Sequence, residues 1–189
     1  MKKSASLTLV LLGFAALAGC IEYDPSAAYP PTGPATGGAV NGQASSALSQ
    51  QEINDFMAVH NQARMEVGVP PLTYSPGLAA FAQQWADNLA SSGCLLRHRP
   101  QSGYGENIAM LAGGSAGAGQ AARNWYSEKS SYYGGPITAQ NLMSVGHYTQ
   151  MVWRGSTQVG CGKAVCANGM VIYVANYSPQ GNMLNQNPY

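Results

Sequence analysis

Charge is what this sequence has least of. Of its 189 residues, nine are Lys or Arg and eight are Asp or Glu, 9 % in all, against about 25 % in an average soluble domain. Two of the nine basic residues are Lys2 and Lys3, which leaves seven against eight acidic residues in the rest of the chain. No basic block remains to meet a phosphate backbone, so a nucleic-acid partner is excluded. Histidine is nearly as scarce, with three residues, and cysteine numbers four. There is no His-Glu-x-x-His pair, which removes the commonest zinc-protease signature. No nucleotide or redox-cofactor fingerprint occurs, and no internal repeat. No apolar run is long enough to span a bilayer, which takes about 20 residues. What is present is a chain that is 46 % hydrophobic, enough for a core, whose surface must be wetted by Ser, Gln, Asn, Tyr and Gly. The length suggests one domain with extra segments.

The first segment is a targeting sequence. Lys2 and Lys3 precede Leu7 to Leu17, which is apolar apart from Thr8 and Gly13. Leu17-Ala18-Gly19-Cys20 then looks like a bacterial lipobox. Residues 1–19 are therefore expected to be a lipoprotein signal peptide, with Cys20 the lipidated residue of the processed chain. Several acyl chains on one residue would anchor firmly, since each buried CH2 contributes about 0.8 kcal/mol. Ile21, where an Asp would retain a lipoprotein, implies the outer membrane if the host has two. Residues 20–48 are rich in Pro, Gly, Ala, Ser and Thr without helical or strand period, the composition of a tether.

Residues 49–189 read as the folded domain. Ser49-Gln50-Gln51-Glu52 has the capping-box pattern, and Ile53, Phe56, Met57, His60 and Arg64 follow at helical spacing. Ser75-Pro76 opens a second helix with the stripe Leu78, Ala82, Trp85, Leu89, closed by Gly93. A third helix is expected around Gln120 to Glu128. Beyond Gly146 the period changes to two: Tyr148 to Trp153, Thr157 to Lys163 and Met170 to Tyr177 read as strands, the last two joined at Asn168-Gly169. Helices first and an antiparallel meander last give an α+β domain, with helices on both faces of a three- to four-stranded antiparallel sheet.

Chemistry-bearing residues are few. His60 lies in His60-Asn61-Gln62-Ala63-Arg64 and His147 in Gly146-His147-Tyr148-Thr149-Gln150. Glu52, Asp55, Glu66 and Asp87 read as surface residues of helices. Glu106 sits between Gly105 and Asn107, read as a loop, and Glu128 follows Trp125 by three. Spacing does not bring these four groups together, and each histidine reads as readily as a hydrogen-bonded structural residue.

Four of these segments together resemble the CAP superfamily of cysteine-rich secretory and plant pathogenesis-related proteins. His60 to Arg64 is similar to its HNxxR motif and Gly105-Glu106-Asn107-Ile108 to its GEN motif. Gly146 to Ser156 and Ile172 to Asn182 match its two long signatures, and Trp125 to Glu128 its second glutamate helix. The resemblance implies an α-β-α sandwich with an open cleft where His60, Glu106, Glu128 and His147 converge. It also implies that His60 and His147 hold a divalent cation, often zinc, weakly, because two protein ligands are fewer than a dedicated site uses. His98, which also matches a family position, is expected to pack at the cleft rim and not to act as a ligand. The family pattern pairs Cys94 with Cys166. The partner position for Cys161 is Ala175, so Cys161 is expected to be a buried reduced thiol.

Three functions are compatible with this reading. A non-enzymatic binding module would take a lipid, a sterol or a polysaccharide. A zinc hydrolase would use Glu106 or Glu128 as general base. A signalling role would use the tail Pro179 to Tyr189, which resembles a peptide released by plant members. The favoured reading is the binding module, monomeric and membrane-tethered through Cys20 to the cell envelope, at its extracellular or periplasmic face.

Overall fold

The computed structural model describes residues 47–112 and 117–189. The expected signal peptide, Cys20 and nearly all of the linker lie outside the described residues. Among the described residues no helix is long and apolar enough to cross a membrane.

The chain runs α1 (Gln50–Glu66), β1 (Thr73–Tyr74), α2 (Pro76–Ser91), β2 (Gly105–Ala112), α3 (Ala118–Ser127), a 3-10 turn (Glu128–Ser131), α4 (Leu142–Met151), β3 (Gln158–Val165) and β4 (Met170–Ser178). The capping box is present: the Ser49 side chain accepts from the Glu52 N–H while the Glu52 carboxylate accepts from the Ser49 N–H. Ser75 caps α2 with Pro76 in its first turn. The four strands lie in the order β1-β3-β4-β2. β4 pairs antiparallel with both neighbours, and the Asn168-Gly169 hairpin joins β3 to β4. Gly169, at φ +80°, takes the left-handed conformation that turn requires.

Alternation along β4 decides the layering. Ile172 and Val174 point into a core with Ala82, Trp85, Ala86 and Leu89 of α2. Tyr173, Ala175 and Tyr177 point the other way, into a core with Phe56, Ala63, Ala121, Trp125, Tyr148 and Met151 from α1, α3 and α4. Helices thus cover both faces, as the α+β sandwich requires. α2 lies directly on β3, where a Cβ added to Gly160 or Gly162 would overlap the α2 backbone at Ala79 or Gln83. Both cores, the sheet and the disulfide lie within residues 47–189, so this unit carries what an independently folding domain needs.

Three local expectations are corrected. Tyr148 to Trp153 is not a strand: its first four residues close α4, and all six side chains are buried. A run buried on every side carries no period, so its aromatic and β-branched content misled. Glu106 is not in a loop. Gly105–Ala112 is the edge strand β2, whose Glu, Asn, Ala and Met are weak strand formers held by pairing with β4. The sheet is not wholly antiparallel either, since the two-residue β1 pairs parallel to β3.

Cys94 and Cys166 form the expected disulfide, 72 residues apart, worth about 4 kcal/mol by loop closure. Cys161 is fully buried opposite Ala175, and burial pushes its thiol pKa far up, which makes it inert. The tail packs onto the domain: Asn185 N–H donates to Ile137 O, Ile137 N–H to Gln186 O and Arg154 N–H to Pro188 O.

Candidate functional site

His60 is not at a cleft. It is fully buried beneath Trp125 and Phe56, and both ring nitrogens are used. Nδ1 lies 2.9 Å from Phe56 O, which can only accept, so Nδ1 carries the proton and Nε2 accepts from the Tyr177 hydroxyl at 2.8 Å. Burial, aided by the Arg64 charge and opposed by the Phe56 carbonyl, lowers its pKa to about 4. An imidazole so held has no lone pair for a metal, and the expectation that His60 pairs with His147 as a ligand is corrected.

The rest of that motif is structural for equally specific reasons. The Arg64 guanidinium, 1 % exposed, donates to four carbonyls: Pro70, Met151, Trp153 and Ser156, at 2.6 to 3.0 Å. It ties α1 to the turn after α4. Asn61 exchanges two hydrogen bonds with the Leu72 backbone and fixes the approach to β1.

The outward-facing histidines are His98 and His147. His98 Nδ1 lies 2.8 Å from Glu106 Oε1; the histidine side chain is 58 % exposed and the carboxylate 5 %. His147 Nδ1 lies 2.6 Å from Glu128 Oε1, with 37 % and 20 % exposure. Each carboxylate is further engaged. Glu106 accepts from the Arg99 N–H through Oε1 and from Asn176 Nδ2 through Oε2. Glu128 Oε2 accepts from the backbone N–H groups of His147 and Tyr148. Trp125 stacks on the His147 ring, centroids 6.1 Å apart. The two pairs are linked through β2, where the residue after Glu106 is Asn107, whose Nδ2 donates to His147 O and to the Tyr177 hydroxyl. Gly105 is required there, because a Cβ would strike the Gln150 amide.

The structure thus pairs Glu106 with His98 and Glu128 with His147, and His60 joins neither carboxylate. His98 was expected only to pack at the cleft rim, since it lies in an irregular loop with no period; the structure seats its Nδ1 against Glu106. The available signal was its spacing of eight residues from Glu106, short enough for a loop to fold back on the following strand.

The sequence and the fold are those of a known family. The model of the CAP family, cysteine-rich secretory proteins, matches residues 57–177. The chain belongs to it. Pathogenesis-related protein 1B of Nicotiana tabacum is 40 % identical over 144 residues, covering 76 % of this chain and 84 % of the relative. A pathogenesis-related protein 1 of Arabidopsis thaliana is 42 % identical over 141 residues, covering 75 % and 84 %. Among solved structures, NaASP2 with Zn2+ superposes with a TM-score of 0.66 at 24 % identity, over 80 % of this chain and 90 % of that one. BmVAL-1 superposes with 0.64 at 26 %, over 76 % and 84 %. These establish a CAP domain of the pathogenesis-related type and its fold; the zinc belongs to NaASP2.

As a cation site the residues fit in a limited sense. With Nδ1 turned to a carboxylate, Nε2 of His98 and of His147 is the atom that would meet a cation, the arrangement that orients metal-binding imidazoles. Among the described residues, however, no three His, Cys, Asp or Glu side chains gather closely enough to hold a metal ion. Each imidazole would offer a cation one nitrogen ligand, with water completing its shell. A serine nucleophile gains no support. Gly113-Gly114-Ser115-Ala116-Gly117 fits Gly-x-Ser-x-Gly in letters, but residues 113–116 lie outside the described residues.

Proposed function

We propose that this is an exported, lipid-anchored binding module that takes a lipid, sterol or polysaccharide ligand at the face bearing His98–Glu106 and His147–Glu128, and that a weakly held divalent cation on the two imidazoles contributes to that binding. The family's description as secretory agrees with export, and the lipobox-like Leu17 to Cys20 supports the anchor. The observation that carries the non-enzymatic reading is the state of the two carboxylates. Each is occupied by an imidazole and by further N–H donors. A general base needs a lone pair aimed at substrate, and these are aimed at the protein. Their role is to orient the histidines.

The test is equilibrium binding of Zn2+, a labelled sterol, a fatty acid and a soluble polysaccharide to residues 47–189, beside the double variant His98→Ala, His147→Ala. The expected result is about one equivalent of zinc and retention of one ligand class, both lost in the variant, with no turnover of peptide or ester substrates. Turnover by the parent that disappears in the variant would replace this reading with the hydrolase. Zinc binding that survives the double variant would remove the cation from it.

A further inference from the structure

The loop that carries His98 has an unusual exterior. Leu95 is 70 % exposed and Leu96 48 %. The disulfide from Cys94 holds them beside Cys166, whose chain neighbour Val165 is 67 % exposed. Exposed apolar side chains elsewhere are scattered and need no explanation; here a covalent bridge gathers three. Two arginines follow in the same loop, and both are held rigid by aromatic rings of α2. The Arg97 guanidinium stands 5.3 Å from the Trp85 ring centroid and donates to Asn88 Oδ1. That of Arg99 stands 3.7 Å from the Phe81 ring centroid. Tyr104, 37 % exposed, packs edge-on against the same Phe81 ring.

Apolar tips flanked by arginine and aromatic side chains suit a membrane–water interface, where leucines enter the acyl boundary and guanidinium groups meet lipid phosphates. We infer that the 95–104 loop, with Val165, docks the domain onto an anionic phospholipid surface. The inference rests on the anchoring proposed above, which supplies the bilayer. Residues 20–46, rich in Pro, Gly, Ala, Ser and Thr, have the composition of a tether. The domain is thereby confined next to the membrane, and a contact too weak to recruit it from solution suffices to orient it. Because His98 lies between Arg97 and Arg99, docking sets the His98–Glu106 pair at the lipid surface, which favours a ligand drawn from the bilayer.

The test is sedimentation of residues 47–189 with vesicles of phosphatidylcholine plus phosphatidylglycerol, and with phosphatidylcholine alone. Binding is expected to the anionic vesicles only. It should weaken about fivefold in Arg97→Gln, the loss of one near-surface arginine, and roughly tenfold in Leu95→Ser, Leu96→Ser. Met65→Ser, Met143→Ser should leave it unchanged. Circular dichroism and the intact disulfide report folding, and Val165→Ser repeats the test from the strand side if the leucine variant unfolds. No binding by the parent, equal binding to neutral vesicles, or equal loss in the methionine control would overturn the inference. So would a change of sedimentation coefficient in the leucine variant without vesicles, which would make the patch an interface between two copies. This domain lacks Cys20, so the assay is independent of acylation. The anchor is tested separately, by whether Cys20→Ala moves the full chain out of the membrane fraction.

Discussion

His60 and His98 show how differently one side chain type is used in the interior and at the surface of one domain. His60 lies under Trp125, neutral, with both nitrogens bonded inside the protein. His98 lies in solvent with one nitrogen held by a buried carboxylate. Around His60 the neighbours repeat the pattern: Arg64, Asn61, Asn107 and Tyr177 are polar groups that satisfy one another or the backbone. Around His98 and His147 each carboxylate fixes one face of the ring and leaves the other turned outward. The first region is a frame, in which any lost group leaves a buried partner unsatisfied. The second is a presenting surface, in which a lost group leaves water in its place. Stability should therefore reside in one and binding in the other.

The comparison is tested most severely at Arg64. Replacing it with Leu removes a buried cation and takes a donor from four carbonyls, of which Trp153 O keeps the Ser156 N–H, so urea unfolding should show a loss of roughly 3–5 kcal/mol. A loss under about 1 kcal/mol would mean the frame is not where stability lies.

The next effect is in acid. The His60 pKa falls from 6.5 in the unfolded chain to about 4 in the folded one. Between these values the unfolded chain binds a proton that the folded chain refuses. The stabilising contribution of neutral His60 is thus complete above pH 6.5 and is lost as the pH falls towards 4, by roughly 3 kcal/mol. Melting temperatures taken across pH 4 to 7 should fall on the acid side for the parent. His60→Asn, although less stable throughout, should show a flatter profile; an unchanged slope would assign the acid sensitivity to the carboxylates.

The smallest effect sharpens the contrast. His98→Ala should change unfolding stability by no more than about 1 kcal/mol, the scale of exposed pairs, while abolishing the cation binding proposed for the site. His60→Asn should do the reverse, lowering stability while zinc titration still shows the site. Equal stability losses in the two variants would erase the distinction between frame and surface.

The sequence by itself determined much of this. The capping box, the Ser75-Pro76 start, the Asn168-Gly169 turn and the stripes of α1 and α2 are local signals, set by backbone hydrogen bonds within a few residues, and they read correctly. Glu106, Glu128 and His147 stood out because they lie in recognisable segments, and the structure engages each of them in a His–carboxylate pair. The resemblance also supplied the Cys94–Cys166 pairing, which spacing could not. Only the tertiary structure decided the conformation of Tyr148 to Trp153 and of Gly105 to Ala112, since a segment buried on all sides has no period, and an edge strand of weak formers exists only through its partner. Only it could separate the histidines. Whether an imidazole faces a carbonyl under a tryptophan or a carboxylate at the surface depends on contacts 117 residues apart in one case and eight in the other, and no local pattern encodes which side of the sheet faces water.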